Sequence, residues 1–249
     1  METKLRGIGL LSIKWICAVA LMISAGPALA QGNPSNTAAS PLSLVVTRFE
    51  ANGVILLDAI LQLAQQEQVP IGIEVVDAPM LSTVINRSFV KQKFGIVLGS
   101  LLAAGGKYQV SVKSGTILVS ATWMPLGTQN LFDILIPDYE LQRPATLQEA
   151  GLLLYMTLDS QINGPTGFAG SYNPGDVRHV IGPLSIRDAK VREILCRIVS
   201  MRQYAAWVAK APPNRLLEIP KGGLWDLLEY SNEPITIAAY LRNLPQFAQ

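Results

Sequence analysis

Few side chains in this sequence could carry acid–base, nucleophilic or metal chemistry. The 249 residues include one histidine and two cysteines, too few donors for a zinc site built from Cys and His. His179, next to Arg178, could act as a general base. No G-x-S-x-G or comparable nucleophile motif accompanies it, so no catalytic residue is assigned. Cys196 sits between Leu195 and Arg197 on a helical pattern and reads as a buried structural thiol. Arg192 and Arg197 keep a reactive reading open, because reactive thiols need electropositive surroundings. Asp133, Asp138 and Glu140 lack calcium-loop spacing and read as solvated charges. The expectation is therefore no metal, no cofactor and no enzymatic activity.

The segment 163–176 carries Gly164, Gly167, Gly170 and Gly175. It lacks the Gly-Lys-Ser/Thr ending that gives a phosphate loop its donors. Its length, with Phe168 and Tyr172, makes it a candidate partner contact. The same loop carries the alternative reading, a periplasmic binder of a small molecule or glycan. Trp123, Trp207 and Trp225 read as core aromatics, with sugar stacking or partner contact as the other use. Asn86-Arg-Ser88 fits a glycosylation acceptor, which matters only in a eukaryotic secretory pathway.

Charged residues make up 15% of the chain, against roughly 25% in an average soluble domain. With 49% apolar residues and a mean hydropathy of +0.30, a disordered chain is excluded. Part of that excess lies in residues 1–30, which read as a signal peptide. Lys4, Arg6 and Lys14 precede the apolar run Trp15–Ala25, and Ala28-Leu29-Ala30 forms an A-x-A site. The run is short of the roughly 20 residues a membrane span needs, although an uncleaved anchor is the alternative. Cleavage at Ala28/Ala30 removes a net charge of +2, leaving a formally neutral chain. Nucleic-acid binding is therefore not expected, nor is a transmembrane span after cleavage. Cys17 leaves with the signal, so the exported protein has no internal disulfide.

A flexible lead-in, residues 31–43, is followed by one pattern used twice. In residues 44–122 a short strand at Leu44–Phe49 leads to a helix with Leu56, Leu57, Ile60, Leu61 and Ala64 on one face, capped by Asn52. Pro70 ends it, and Ile71–Val76 and Thr83–Val90 read as strands. A second helix buries Phe94, Val97, Leu98, Leu101 and Leu102, then Tyr108–Val112 and Ile117–Val119 form a hairpin. In residues 131–230, Phe132–Ile136 reads as a strand. Thr146-Leu-Gln-Glu149 is a capping box opening a helix to about Asp159. Val180–Ile186 is strand-like, and Asp188 caps a helix with Val191, Ile194, Leu195, Ile198 and Val199 at the spacing of the earlier helix. Trp225–Tyr230 is a strand or a helical turn, and the tail 231–249 holds a short helix. Either the halves are duplicates, or two amphipathic helices match because such helices look alike. The reading is an α+β protein of two consecutive small βαβ-βαββ modules with mixed sheets. Tyr108, Val110 and Val112 lie on a candidate sheet edge, where a partner segment could add as a strand.

Residues 44–121 resemble the short amino-terminal domain shared by secretins and TonB-dependent receptors. The resemblance is carried by Val54–Ala64, Ile71-Gly-Ile-Glu74, Phe89-Val90, Val97–Leu102 and Tyr108. Leu184–Leu195 and Ala206-Trp-Val208 resemble the latter part of such a domain more weakly. It implies a non-enzymatic periplasmic interaction module, an adaptor or accessory of an envelope secretion, transport or signalling complex. The implied partner is a secretin, a TonB-dependent receptor or a related inner-membrane component. No pore or barrel segment follows the second unit within this sequence, which departs from the family pattern.

Overall fold

Which strands meet is a long-range question that local spacing leaves open. A computed structural model of the chain describes residues 40–122, 130–164, 180–202, 205–210, 224–245 and 247. It is α+β, as expected. In the first half, β1 (Val45–Ile55) runs into α1 (Leu56–Gln66), then β2 (Ile71–Ile73), α2 (Ala78–Ser82), β3 (Val84–Lys93), α3 (Phe94–Leu102), β4 (Tyr108–Lys113) and β5 (Thr116–Ala121). The strand β1 is longer than its apolar start implies. It continues past Asn52, which pairs with Asn86 in the β1–β3 ladder and is not the cap of α1. A bulge at Gly53, with φ +71°, absorbs the irregularity, and Gly53 N donates to Asn86 Oδ1 at 2.7 Å. The short α2 went unseen in the sequence, although Asp77 caps it and Pro79 occupies its first turn.

The second half is built alike from β6 (Leu135–Leu141), β7 (Ala145–Thr146), α4 (Leu147–Asn163), β8 (Val180–Ile181), β9 (Leu184–Lys190), α5 (Val191–Ser200), β10 (Ala205–Ala209) and β11 (Trp225–Glu229). Phe132 belongs to a 3-10 turn, because Asn130 caps residues 131–133, and the strand starts three residues later than its sequence expectation. The capping box of α4 forms as expected: Glu149 N donates to Thr146 Oγ1 at 3.2 Å and Thr146 N to Glu149 Oε2 at 2.7 Å. That helix runs on to Asn163. Asp188 is not the cap of α5; it lies inside β9 at φ +48°, and Lys190 takes the cap position. Trp225 starts a strand.

The halves agree in detail. The β1–β3 ladder pairs Val45 with Lys93 and Val46 with Gln92, while β6–β9 pairs Leu135 with Lys190 and Ile136 with Ala189. Burial along Val45–Ala51 repeats along Leu135–Leu141. Phe94 N donates to Leu44 O, and Val191 N to Ile134 O, at the same joint of each half. The five apolar positions of α3 and their counterparts on α5 are all buried. Each helix is followed by an antiparallel hairpin, β4–β5 and β10–β11.

The hairpins end up in one sheet of order β11-β10-β2-β5-β4, mixed because β2 runs parallel to both neighbours. Its two faces serve two cores. Ile71, Ile73, Ile117, Val119, Ala206 and Val208 enter the first, with α1 and α3. Leu118, Ala205, Trp207 and Ala209 enter the second, with α4 and α5. Gly72 is required at the crossing, since a Cβ there would run into the Trp207 indole. Residues 38–249 accordingly form one compact unit.

The tail lies along α1 and carries α6 (Ala238–Arg242). Asp58 Oδ1 accepts Ile237 N at 2.8 Å and Ala238 N at 2.9 Å. Gln62 Nε2 donates to Ile235 O, and Gln65 donates to Ser231 O and Glu233 O while accepting Ile235 N. Ile237, Ala238 and Leu241 bury their side chains in the first core.

Candidate functional site

The strand β4 stands at one end of the five-stranded sheet. Ser114 and Gly115, both with positive φ, turn it into β5, and the ladder runs from Tyr108 opposite Ala121 to Lys113 opposite Thr116. Among the described residues no strand pairs with its other side. This resolves which strand of the expected hairpin is the edge: β4 is outermost and β5 is interior.

Side chains on β4 divide between two environments. Tyr108 and Val110 pack against the first core, and Tyr108 Oη donates to Asp77 Oδ1 at 2.6 Å. Burial, then the bond to Asp77, raises the Tyr108 pKa, so the phenol stays protonated. Val112, further along the same face, is exposed, as are Gln109 and Lys113 on the other. Of the three contact residues that the sequence places on this hairpin, Tyr108, Val110 and Val112, only Val112 offers an open side chain. What β4 presents to a partner is mainly its main chain.

A second constellation lies between the halves. Glu74, which follows β2, is 1% exposed, and its carboxylate accepts Asn130 Nδ2 at 2.8 Å and Arg192 Nη1 at 3.0 Å. Arg192 Nη2 also reaches Asp133 Oδ2 at 2.6 Å, and Asp133 Oδ1 takes Lys190 Nζ at 2.7 Å. Asp133 is thus part of an ion-pair network and not a free surface charge. Burial raises the Glu74 pKa; Arg192 and Asn130 act against that, and the burial effect is the larger. The network joins first-half strand to second-half helix and leaves Glu74 closed to substrate, so its chemistry is that of a fastening. The signal was present in the sequence as a lone carboxylate in the apolar run Ile71–Val76.

Cys196 is fully buried, and burial pushes its thiol up to about 12, where it is neither nucleophile nor ligand. Trp207 and Trp225 pack on Phe132 with ring centroids 5.3 and 6.3 Å apart, which makes them core aromatics. Among the described residues no three of His, Cys, Asp and Glu group as metal ligands. No helix there is long and apolar enough to cross a membrane. Ala28, Ala30, Trp123, Phe168, Tyr172 and His179, with the loop from 165 to 176, lie outside the described residues. Comparison with family models, with curated proteins and with solved structures finds no match to this chain.

Proposed function

We infer that the chain is an exported, non-enzymatic interaction module of the cell envelope, and that β4 is the edge on which a partner adds a strand. The observation that carries this reading is internal to the fold. The two hairpins are counterparts, each turning Tyr108/Val110 or Ala205/Trp207 toward its own core. The first strand of the second, β10, is flanked on its other side by β2 in parallel, with Ala206 opposite Ile71 and Val208 opposite Ile73. The first strand of the first, β4, is left open on that side among the described residues. Strand addition at this position is therefore already in use once in the molecule.

The two strands differ in the way the reading requires. At the positions that point away from its own core β10 carries Ala206 and Val208, which the first half covers, whereas β4 carries Gln109 and Ser111 at the matching positions. Polar side chains keep an open edge soluble before its partner arrives, while its peptide groups supply the docking bonds. The signal-like residues 1–30 and the resemblance to the secretin and TonB-receptor domain support a periplasmic location. They also support a secretin, a TonB-dependent receptor or an inner-membrane component as partner.

A photo-crosslinker at Gln109 or Lys113, compared with one at Ser88 on β3, tests this in cells. Capture of one envelope protein from both β4 positions and not from Ser88 is the expected result. Equal labelling from all three positions, or none with a working crosslinker, overturns the reading.

A further inference from the structure

Each half has a groove beside its first helix, and among the described residues a chain segment fills only the first. Leu56, Ala59 and Leu63 of α1 are buried where Leu147, Ala150 and Leu154 of α4 are buried. This correspondence sets Asp58 against Glu149, Gln62 against Leu153 and Gln65 against Met156. Asp58, Gln62 and Gln65 are the three α1 side chains that grip the tail. Their three counterparts line an open cavity of about 550 Å³, with Leu141, Ala145 and Leu152 also on its wall. Met156 is 39% exposed there, an apolar side chain at a position where α1 has a glutamine engaged with the tail.

We propose that the α4 groove seats a short segment of a partner protein built like this chain's own tail, an extended run leading into one helical turn. Aliphatic side chains would stand where Ile235, Ile237 and Leu241 stand on α1. The chemistry of the α4 seat departs from that of α1 in two ways that define the occupant. Leu153 and Met156 cannot hold main-chain groups as Gln62 and Gln65 do, so apolar side chains carry the contact, and Met adapts to their shape. Glu149 is engaged by its own Thr146 N and faces Arg143 Nη2 at 4.0 Å. On α1 the corresponding Asp58 accepts two tail amides and feels the tail's Arg242. Arg143, with 83% of its side chain exposed, thus favours an acidic residue in the occupant where the tail has Arg242. This surface is separate from β4 and stands or falls without it.

The probe is a fluorescently labelled peptide of the tail sequence 231–245 carrying Arg242→Glu, titrated with the purified protein and read by anisotropy. Saturable binding is expected, weakened about tenfold or more by Met156→Arg, which places a charge in the apolar seat. Arg143→Glu should weaken the glutamate peptide and favour the peptide that keeps Arg242. Thermal unfolding of both variants should stay close to the parent, since Arg143 is largely exposed and Met156 lies on the wall of the open groove. Absence of saturable binding overturns the proposal, as does equal binding by the parent and Met156→Arg. Binding altered by Gln65→Ala and not by Met156→Arg places the peptide on α1 and overturns it too. Self-association of the protein that Met156→Arg abolishes assigns the groove to a second copy and excludes the partner segment.

Discussion

Lys91 and Asp188 occupy the same point in different halves. Each has a left-handed backbone, φ 51° and 48°, inside the second strand of its ladder and three residues before the first residue of its helix. In each ladder the neighbouring pairs keep register on both sides, Val46–Gln92 and Arg48–Val90 in one, Ile136–Ala189 and Asp138–Arg187 in the other. The twist at this point aims Phe94 and Val191 into their cores, where both are fully buried. Left-handed backbone costs a residue with a Cβ roughly 1 kcal/mol.

Lys91→Gly and Asp188→Gly should therefore leave stability unchanged or raise it by up to about 1 kcal/mol. Lys91→Val and Asp188→Val should each cost about 1–2 kcal/mol, because a β-branched side chain clashes at this φ. Urea midpoints of the four variants check this. Valine variants as stable as the parent would refute the shared backbone strain.

Gly72 and Trp207 supply a second test, at the crossing of the halves. Gly72→Ala sets a methyl group against an indole that is itself fully buried. The core has no slack on that face, so the cost should reach about 2–3 kcal/mol. In a double-mutant cycle with Trp207→Phe the two changes should be non-additive, with the smaller ring recovering part of the loss. Additive costs would mean that the alanine harms something other than this contact.

Local chemistry was legible where one residue decides the outcome with its near neighbours. The spacing of Phe94 to Leu102 and of Val191 to Val199 located two helices, and Thr146 with Glu149 located the start of a third. Asn52 and Asp188 misled because both have good capping side chains, yet the strands they lie in continue through a bulge or a positive-φ residue toward the helix. The hairpin that carries the edge was legible, but which of its strands is outermost, and the ionic seam, were not. Glu74 and Arg192 lie 118 residues apart, and the pairing of β2 with β10 joins the two halves, so no window of either half contains it.

The seam gives stability a pH dependence whose sign is fixed by burial. The folded-state pKa of Glu74 is raised above its ordinary 4.5, so between that value and the raised one the folded protein binds more protons than the unfolded chain. The Glu74 contribution to stability therefore falls as pH rises from 4.5 through the raised pKa and is constant above it. Glu74→Gln should abolish that part of the slope, and the difference between parent and variant isolates it from other carboxylates. Arg192→Ala should cost about 3 kcal/mol at neutral pH by leaving Glu74 buried and unpaired. That cost should shrink as acid protonates Glu74. A penalty for Arg192→Ala that is flat from pH 4 to 8 would contradict the arrangement.

Asp58 is the hinge on which the tail depends, because one carboxylate oxygen satisfies two amides at the start of α6. Burial raises its pKa, the bonds from Ala238 and Ile237 oppose that, and the burial effect prevails. Asp58→Ala removes the acceptor and leaves two buried N–H groups unpaired, a loss of about 2–3 kcal/mol. Asp58→Asn keeps an acceptor oxygen and carries no charge to desolvate, so it should lose much less. The two variants thus separate hydrogen bonding from charge. Limited proteolysis reads the result directly: in Asp58→Ala, cleavage between Ser231 and Gln249 should accelerate well before the rest of the protein is cut. In Asp58→Asn it should stay near the parental rate. Equal acceleration in both would show that charge, and not the bond geometry, holds the tail on α1.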